Sequence, residues 1–151
     1  RLLQGFSYIF STPKKSKYPP ICDLNLISSA DVSIQGIGGE INFRPLLVNH
    51  GDINALGFKI GKLAYIPDVL EIPSKSWEEL EDLDILIIDA LRRDPHPSHT
   101  HLEKTLLWLR KLNPRRAILT NLHNDLDYSE LKKELPKNVE PAFDGLEINI
   151  K

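Results

Sequence analysis

Residues 84–89 read Asp84-Ile85-Leu86-Ile87-Ile88-Asp89, an unbroken aliphatic run between two acids. A short apolar run closed off by polar residues is the pattern of a strand buried on both faces, as in a parallel sheet under helices. Downstream, Leu102, Leu106, Leu109 and Leu112 recur at helical spacing. That predicts an amphipathic helix over 102–112, stopped by Asn113-Pro114. Ala117 to Thr120 repeats the short buried strand. Asp127 or Ser129 caps a further helix to Leu135, ahead of Pro136, and Leu146 to Ile150 alternates as a final strand.

Upstream of the decisive run, Ser76 with Glu79 three residues later reads as a capping box, opening a helix that ends near Leu83. Gly57-Phe58-Lys59-Ile60 and Leu63-Ala64-Tyr65-Ile66 flank Gly61-Lys62, a spacing suited to a two-residue hairpin. Glu40 to Val48 is a longer strand whose Pro45 suits an edge or a bulge. Asp31 to Gly36 and Ile21 to Ile27 are shorter strand candidates. Before them, Phe6, Tyr8, Ile9 and Phe10 mark the end of a helix that runs into the basic stretch Ser11 to Lys17. Tyr18-Pro19-Pro20 cannot continue a helix, so Lys14, Lys15 and Lys17 lie on a solvated loop. A hairpin layer passing into alternating strands and helices gives a mixed α/β layered domain, read as one domain over 1–151.

Composition narrows the function classes. Lys plus Arg is 19 and Asp plus Glu is 21, for a formal charge of −2 among 151 residues. That balance argues against a polybasic nucleic-acid binder, and nucleic acid is not the expected partner. No apolar run reaches the 18 or so residues of a membrane span. The single Cys22 excludes an internal disulfide and fits a reducing, cytoplasmic compartment. The chain begins at Arg1 and contains no Met, which reads as a fragment, a truncated gene product or a processed piece.

The five histidines sit at strand ends. His50 closes a strand before Gly51-Asp52. His96, His99 and His101 crowd the loop after Asp89, and His123 follows the next buried strand in Thr120-Asn121-Leu122-His123. Asp68 follows the hairpin in Tyr65-Ile66-Pro67-Asp68. Loops at one edge of an α/β sheet converge, and imidazole with carboxylate is a usual ligand set for zinc, manganese or iron. Each residue also has a plainer reading, as a turn or a cap, and Asp84 and Asp89 read as strand terminators. Gly36-Ile37-Gly38-Gly39 lacks the Lys-Ser/Thr ending of a phosphate loop and reads as a turn.

The order of Val48-Asn49-His50-Gly51-Asp52, Gly57-Phe58-Lys59-Ile60-Gly61, Ala64-Tyr65-Ile66-Pro67-Asp68, Ile88-Asp89-Ala90-Leu91, Pro95-His96-Pro97-Ser98-His99, Ile118-Leu119-Thr120 and Asp125-Leu126-Asp127-Tyr128 resembles the metallo-β-lactamase superfamily. Within it, these blocks are most similar to the branch of phosphoribosyl cyclic phosphodiesterases and related phosphodiester hydrolases. Phe143-Asp144-Gly145-Leu146 fits as well. The resemblance implies part of an αββα sandwich, a mixed sheet with flanking helices, and two metal ions whose bridging hydroxide attacks phosphorus. It implies His50 as a metal ligand, Asp68 as a bridging carboxylate, and His99 as the residue that contacts phosphate or protonates the leaving oxygen, with His96 beside it at the substrate.

The chain departs from the family pattern in two places. The His-x-His-x-Asp-His block expected upstream of His50 is missing, and with it the N-terminal third of the sandwich. The last ligand position after Leu119-Thr120 is Asn121, with His123 two residues on as a replacement ligand. The resemblance therefore implies a hydrolase of phosphodiester or cyclic phosphate substrates, dependent on zinc or manganese and incomplete in this chain. Without that block a two-metal site cannot be completed by this chain alone, and the divalent metal is either retained by the remaining residues or absent. The alternatives are a catalytically inactive remnant kept as a binding or structural module, and a nuclease-like metallohydrolase. A half-sandwich exposes an apolar sheet face, which predicts a homo-oligomer or association with a separate N-terminal portion.

Overall fold

The computed structural model describes residues 2–28 and 31–150. Seven strands form one sheet in chain order: β1 (Val32–Gly36), β2 (Gly39–His50), β3 (Ile53–Ile60), β4 (Leu63–Ile66), β5 (Ile85–Asp89), β6 (Arg116–Thr120) and β7 (Val139–Pro141). β1 to β4 pair antiparallel and β4 to β7 pair parallel, so the sheet is mixed. The helices are α1 (Leu2–Gly5), α2 (Ser7–Phe10), α3 (Ser74–Glu78), α4 (Leu102–Leu112) and α5 (Tyr128–Glu134).

Ile85 to Ile88 form the central strand expected of an all-aliphatic run, with Leu86 and Ile88 fully buried. Leu46, Val48, Ala64, Ile66, Leu86, Ile88, Ala117 and Leu119 join Leu102 and Leu109 of α4 and Leu131 of α5 in one core on the helical face. The opposite face is covered only in part. There Leu63, Ile85 and Ile118 pack under Ala142, Leu146 and Ile148. Next to them Leu47, Leu56 and Tyr65 stay 52%, 37% and 42% exposed. Leu47 pairs with Leu56, and Tyr65 pairs with Phe58, so these side chains share one uncovered face.

Pro45 lies in β2 beyond the last β1 pairing at Phe43, where β2 has β3 alone as a neighbour and so has the open side that suits a residue without an N–H. Four expectations are corrected. Residues 21–27 form no strand and lie exposed. Residues 146–150 form no strand either: Leu146 and Ile148 pack on the sheet without joining its ladder, and the last strand is β7, at 139–141. Ser76 is not a cap; α3 starts after Pro73, and the buried Ser76 hydroxyl donates to the Leu47 carbonyl at 2.6 Å. The helix also stops at Glu78, before a turn in which Asp82 takes φ 54°.

Candidate metal centre

Direction in the sheet builds the site. β2 is antiparallel to β3 and β3 to β4, so β2 runs the same way as β4, β5 and β6. The C-terminal ends of those four strands share one edge, where α/β folds gather their ligands. His50 ends β2, Asp68 follows β4, Asp89 ends β5, and Asn121 follows β6.

Backbone bonds tie the loops at this edge together. Leu70 N–H donates to Asn49 O at 2.7 Å, Thr100 N–H to Val69 O at 2.6 Å, Leu91 N–H to Thr100 O at 3.1 Å, and His123 N–H to Leu91 O at 2.7 Å. Gly51 makes the turn after His50 in the left-handed region, φ 74°, with its N–H held by the Asn49 side chain. A Cβ there would meet Pro97 O and Ser98 Cβ, each at 3.0 Å, so the β2–β3 turn rests directly on the histidine loop.

Donor atoms of His50, Asp68 and His99 lie within 4.8 Å of one another. The His50 and His99 rings meet edge to face at 4.5 Å. His50 Nδ1 is buried with no hydrogen-bond partner. Two imidazoles and a carboxylate, one imidazole carrying an orphaned nitrogen, fit a divalent metal of the zinc, manganese or iron class.

Behind this cluster is a residue whose place in the sequence reads only as a strand terminator. Asp89 is fully buried, and its carboxylate accepts from His99 Nδ1 at 2.7 Å and from Val69 N–H at 3.2 Å. Loss of solvent pushes the Asp89 carboxyl above the ordinary range, against the pull of His99 and the Val69 N–H. Its backbone carbonyl accepts from the Thr105 hydroxyl of α4. No local sequence motif marks Asp89; its signal is an acid at the C-terminal end of a parallel strand, just before a histidine-rich loop.

The remaining candidates lie around the cluster. The His96 ring is 5.2 Å from that of His99, and its Nδ1 accepts from Ser98 N–H at 3.3 Å. A neutral ring held this way carries its proton on Nε2. His96 is kept below the ordinary imidazole range first by loss of solvent, then by Arg92 and the two neighbouring histidines. Asn121, at φ 62°, aims its amide at Asp89 Oδ1, 3.5 Å away, and lies 3.3 Å from His99 Nδ1. His123 stands outside the three-residue cluster, with its Nδ1 3.0 Å from Asp125 Oδ1. Among the described residues no helix is long and apolar enough to cross a membrane.

Known proteins share this fold. The family model for the beta-lactamase superfamily domain matches residues 2–121. A solved structure described as a new diphosphatase from the PhnP family superposes with a TM-score of 0.84 at 32% identity, covering 96% of this chain and 52% of that one. The short form of human tRNase Z superposes at 0.58 with 16% identity, over 74% of this chain and 44% of that one. Zinc-bound PqqB from Methylobacterium extorquens gives 0.57 with 15% identity, over 79% and 53%. Those two likenesses bear on fold alone. A Porphyromonas gingivalis protein named octanoyltransferase is 30% identical over 143 residues, which are 93% of this chain and 28% of that protein. The chain thus spans just over a quarter of that curated relative and about half of the diphosphatase chain.

Proposed function

The chain belongs to the beta-lactamase superfamily of hydrolases, and from that premise we propose that it is the metal-holding part of an enzyme cleaving phosphodiester or cyclic phosphate bonds in the cytoplasm. The observation that carries this reading is the meeting of His50, Asp68 and His99 at one sheet edge. It occurs in a fold that superposes on a PhnP-family diphosphatase over 96% of this chain.

His50 and Asp68 would hold zinc or manganese, which when bound supplies Lewis-acid charge and a nucleophile at neutral pH. Asp89 fixes the His99 ring by accepting from Nδ1, which leaves Nε2 as the nitrogen that faces chemistry. There it can contact a phosphoryl oxygen or protonate the leaving group. His96 presents an Nε2–H donor beside it. His123, with Nδ1 on Asp125 and Nε2 free of that bond, lies outside the cluster and serves as a further ligand only if its loop brings that ring closer. Leu47, Leu56 and Tyr65 give the uncovered face on which a second copy, or a separate N-terminal portion, would dock and complete the site.

A second reading, an octanoyl ester or thioester substrate, rests on the name of the relative called octanoyltransferase, of whose length this chain matches 28%. The test is hydrolysis of bis-p-nitrophenyl phosphate, a ribose cyclic phosphate, a short oligonucleotide and an octanoyl thioester, by zinc- and manganese-loaded chain. Turnover of the first two, lost in His50→Ala and Asp68→Asn, is the expected result. Turnover of the thioester alone favours the second reading, and cleavage of the oligonucleotide alone a nuclease. A metal-loaded chain that hydrolyses none of them is an inactive module, and the proposal fails.

A further inference from the structure

We infer that this chain, by itself, holds a single divalent ion with His99 as third ligand beside His50 and Asp68, neither Asn121 nor His123 taking that position. The inference rests on the metal-dependent reading above, and it changes the job of His99 in the isolated chain.

Three observations carry it. First, the cluster that closes to within 4.8 Å is His50, Asp68 and His99, each from a different strand-end loop. Second, His99 is built as a ligand is built. Its Nδ1 is 2.7 Å from a carboxylate that is itself fully buried and anchored by the Val69 N–H. A carboxylate on the far nitrogen fixes the tautomer, orients the ring and raises the basicity of Nε2, the usual arrangement behind a metal-bound imidazole. Third, His123 stands outside that cluster, and its carboxylate partner, Asp125, is half-exposed where Asp89 is fully buried. Asn121 is no imidazole, and its amide is a weak ligand for a transition metal.

Two imidazoles and one carboxylate suit zinc, manganese(II) or iron(II) and exclude an ion that demands all-oxygen ligands, such as calcium. A ligand role occupies His99 Nε2, so that nitrogen cannot also pass a proton. The isolated chain should then bind metal yet hydrolyse slowly, with His99 freed for substrate only when other donors complete the site.

The test uses the 151-residue chain stripped with chelator. Cobalt(II) is titrated and followed by its visible absorption, zinc is titrated by calorimetry, and bound metal is measured by elemental analysis. One ion per chain is expected. His99→Ala should lower affinity by about 100-fold or more, and Asp89→Asn should lower it about 10- to 100-fold through the ring it orients. His123→Ala should stay within about two-fold of the unaltered chain. Because His99→Ala could also unfold the loop, the unaltered chain supplies a second readout: the ¹⁵N resonance of His99 Nε2 should move on zinc binding while Nδ1 stays protonated. Two ions or none per chain, an unmoved His99 Nε2, or loss of binding in His123→Ala would each overturn the inference. Metal bound through His99 with no hydrolysis of any substrate would instead sink the hydrolase reading and leave this one standing.

Discussion

Replacing Gly51 by Ala tests how the site is held together. Gly51 follows His50 directly, at φ 74°, a region where an L side chain costs about 1–2 kcal/mol. The added Cβ would meet Pro97 O and Ser98 Cβ at 3.0 Å and Ser98 Cα at 3.2 Å. None of these atoms is the loose end of a long side chain, so the turn or the histidine loop must shift, an overpacking cost of about 1–3 kcal/mol. Alanine recovers about 0.4–1 kcal/mol by restricting the unfolded chain. The net destabilisation should be about 1–4.5 kcal/mol, roughly 2–18 °C in melting temperature for a domain of this size. The same shift parts His50 from His99, whose rings meet at 4.5 Å, so zinc affinity should fall along with stability. Thermal and urea melts by circular dichroism, with calorimetric zinc titration, measure both. Gly38→Ala is the control: nothing lies within 4 Å of its built Cβ, and its melt should move by no more than about 0.5 kcal/mol. If Gly51→Ala melts and binds zinc like the parent, the turn does not position His50 and the account of the site's assembly is wrong.

Smaller perturbations probe the supports. Ser76→Ala removes the hydroxyl that donates to Leu47 O and should cost about 1 kcal/mol in urea unfolding; an unchanged midpoint would mean water already serves that carbonyl. Asp127 accepts from Ser129 and Glu130 N–H at the start of α5, so Asp127→Ala should cost about 1 kcal/mol, read by the same melt, and Asp127→Asn much less. Glu134 is held below the usual carboxylate range by its hydrogen bonds from Arg93, so its contribution is present above its unfolded value near 4.5 and is lost as pH falls through the lower folded value. Melts from about pH 6 to about pH 3 should therefore show the parent losing its advantage over Glu134→Gln in that window; a constant difference across it would discard the ion pair as a source of pH dependence.

The parts of the fold that are legible in the sequence are those whose side-chain pattern alone sets burial. Ile85 to Ile88 can only be a strand covered on both sides, and the leucines at 102, 106, 109 and 112 can only share one helical face. Alternation is less reliable, because it names the face a strand would bury without naming a neighbour to pair with. Ile21 to Ile27 alternates yet joins no strand, its Ile21 and Cys22 N–H groups bonding instead to Ile9 O, whereas Leu146 and Ile148 use the same pattern to pack on the sheet outside its ladder. Ser76 has the spacing of a cap, yet the extended backbone ends at Pro73 and the helix begins at Ser74. Ser76 therefore falls inside the first turn, and its hydroxyl turns to β2 instead. Asp84 and Asp89 flank one run and look equivalent. Only strand direction separates them: Asp84 lies at the entry end against Arg115, and Asp89 lies at the exit end behind His99.

That direction also explains how one sheet assembles the cluster of His50, Asp68 and His99. β2, β4, β5 and β6 deliver their ends to a common edge, and the bonds from Leu70 to Asn49, Thr100 to Val69 and His123 to Leu91 lock those ends to one another. None of these contacts runs through Leu47, Leu56 or Tyr65 on the uncovered face. The placing of these three side chains is thus a property of the edge, fixed by the parallel half of the sheet and the loops it carries. Whatever covers the open face can add donors or substrate contacts to the site, but it is not needed to bring His50, Asp68 and His99 together. The proposed metal binding is therefore separable from catalytic completeness, and a variant that disturbs the open face should leave the first intact.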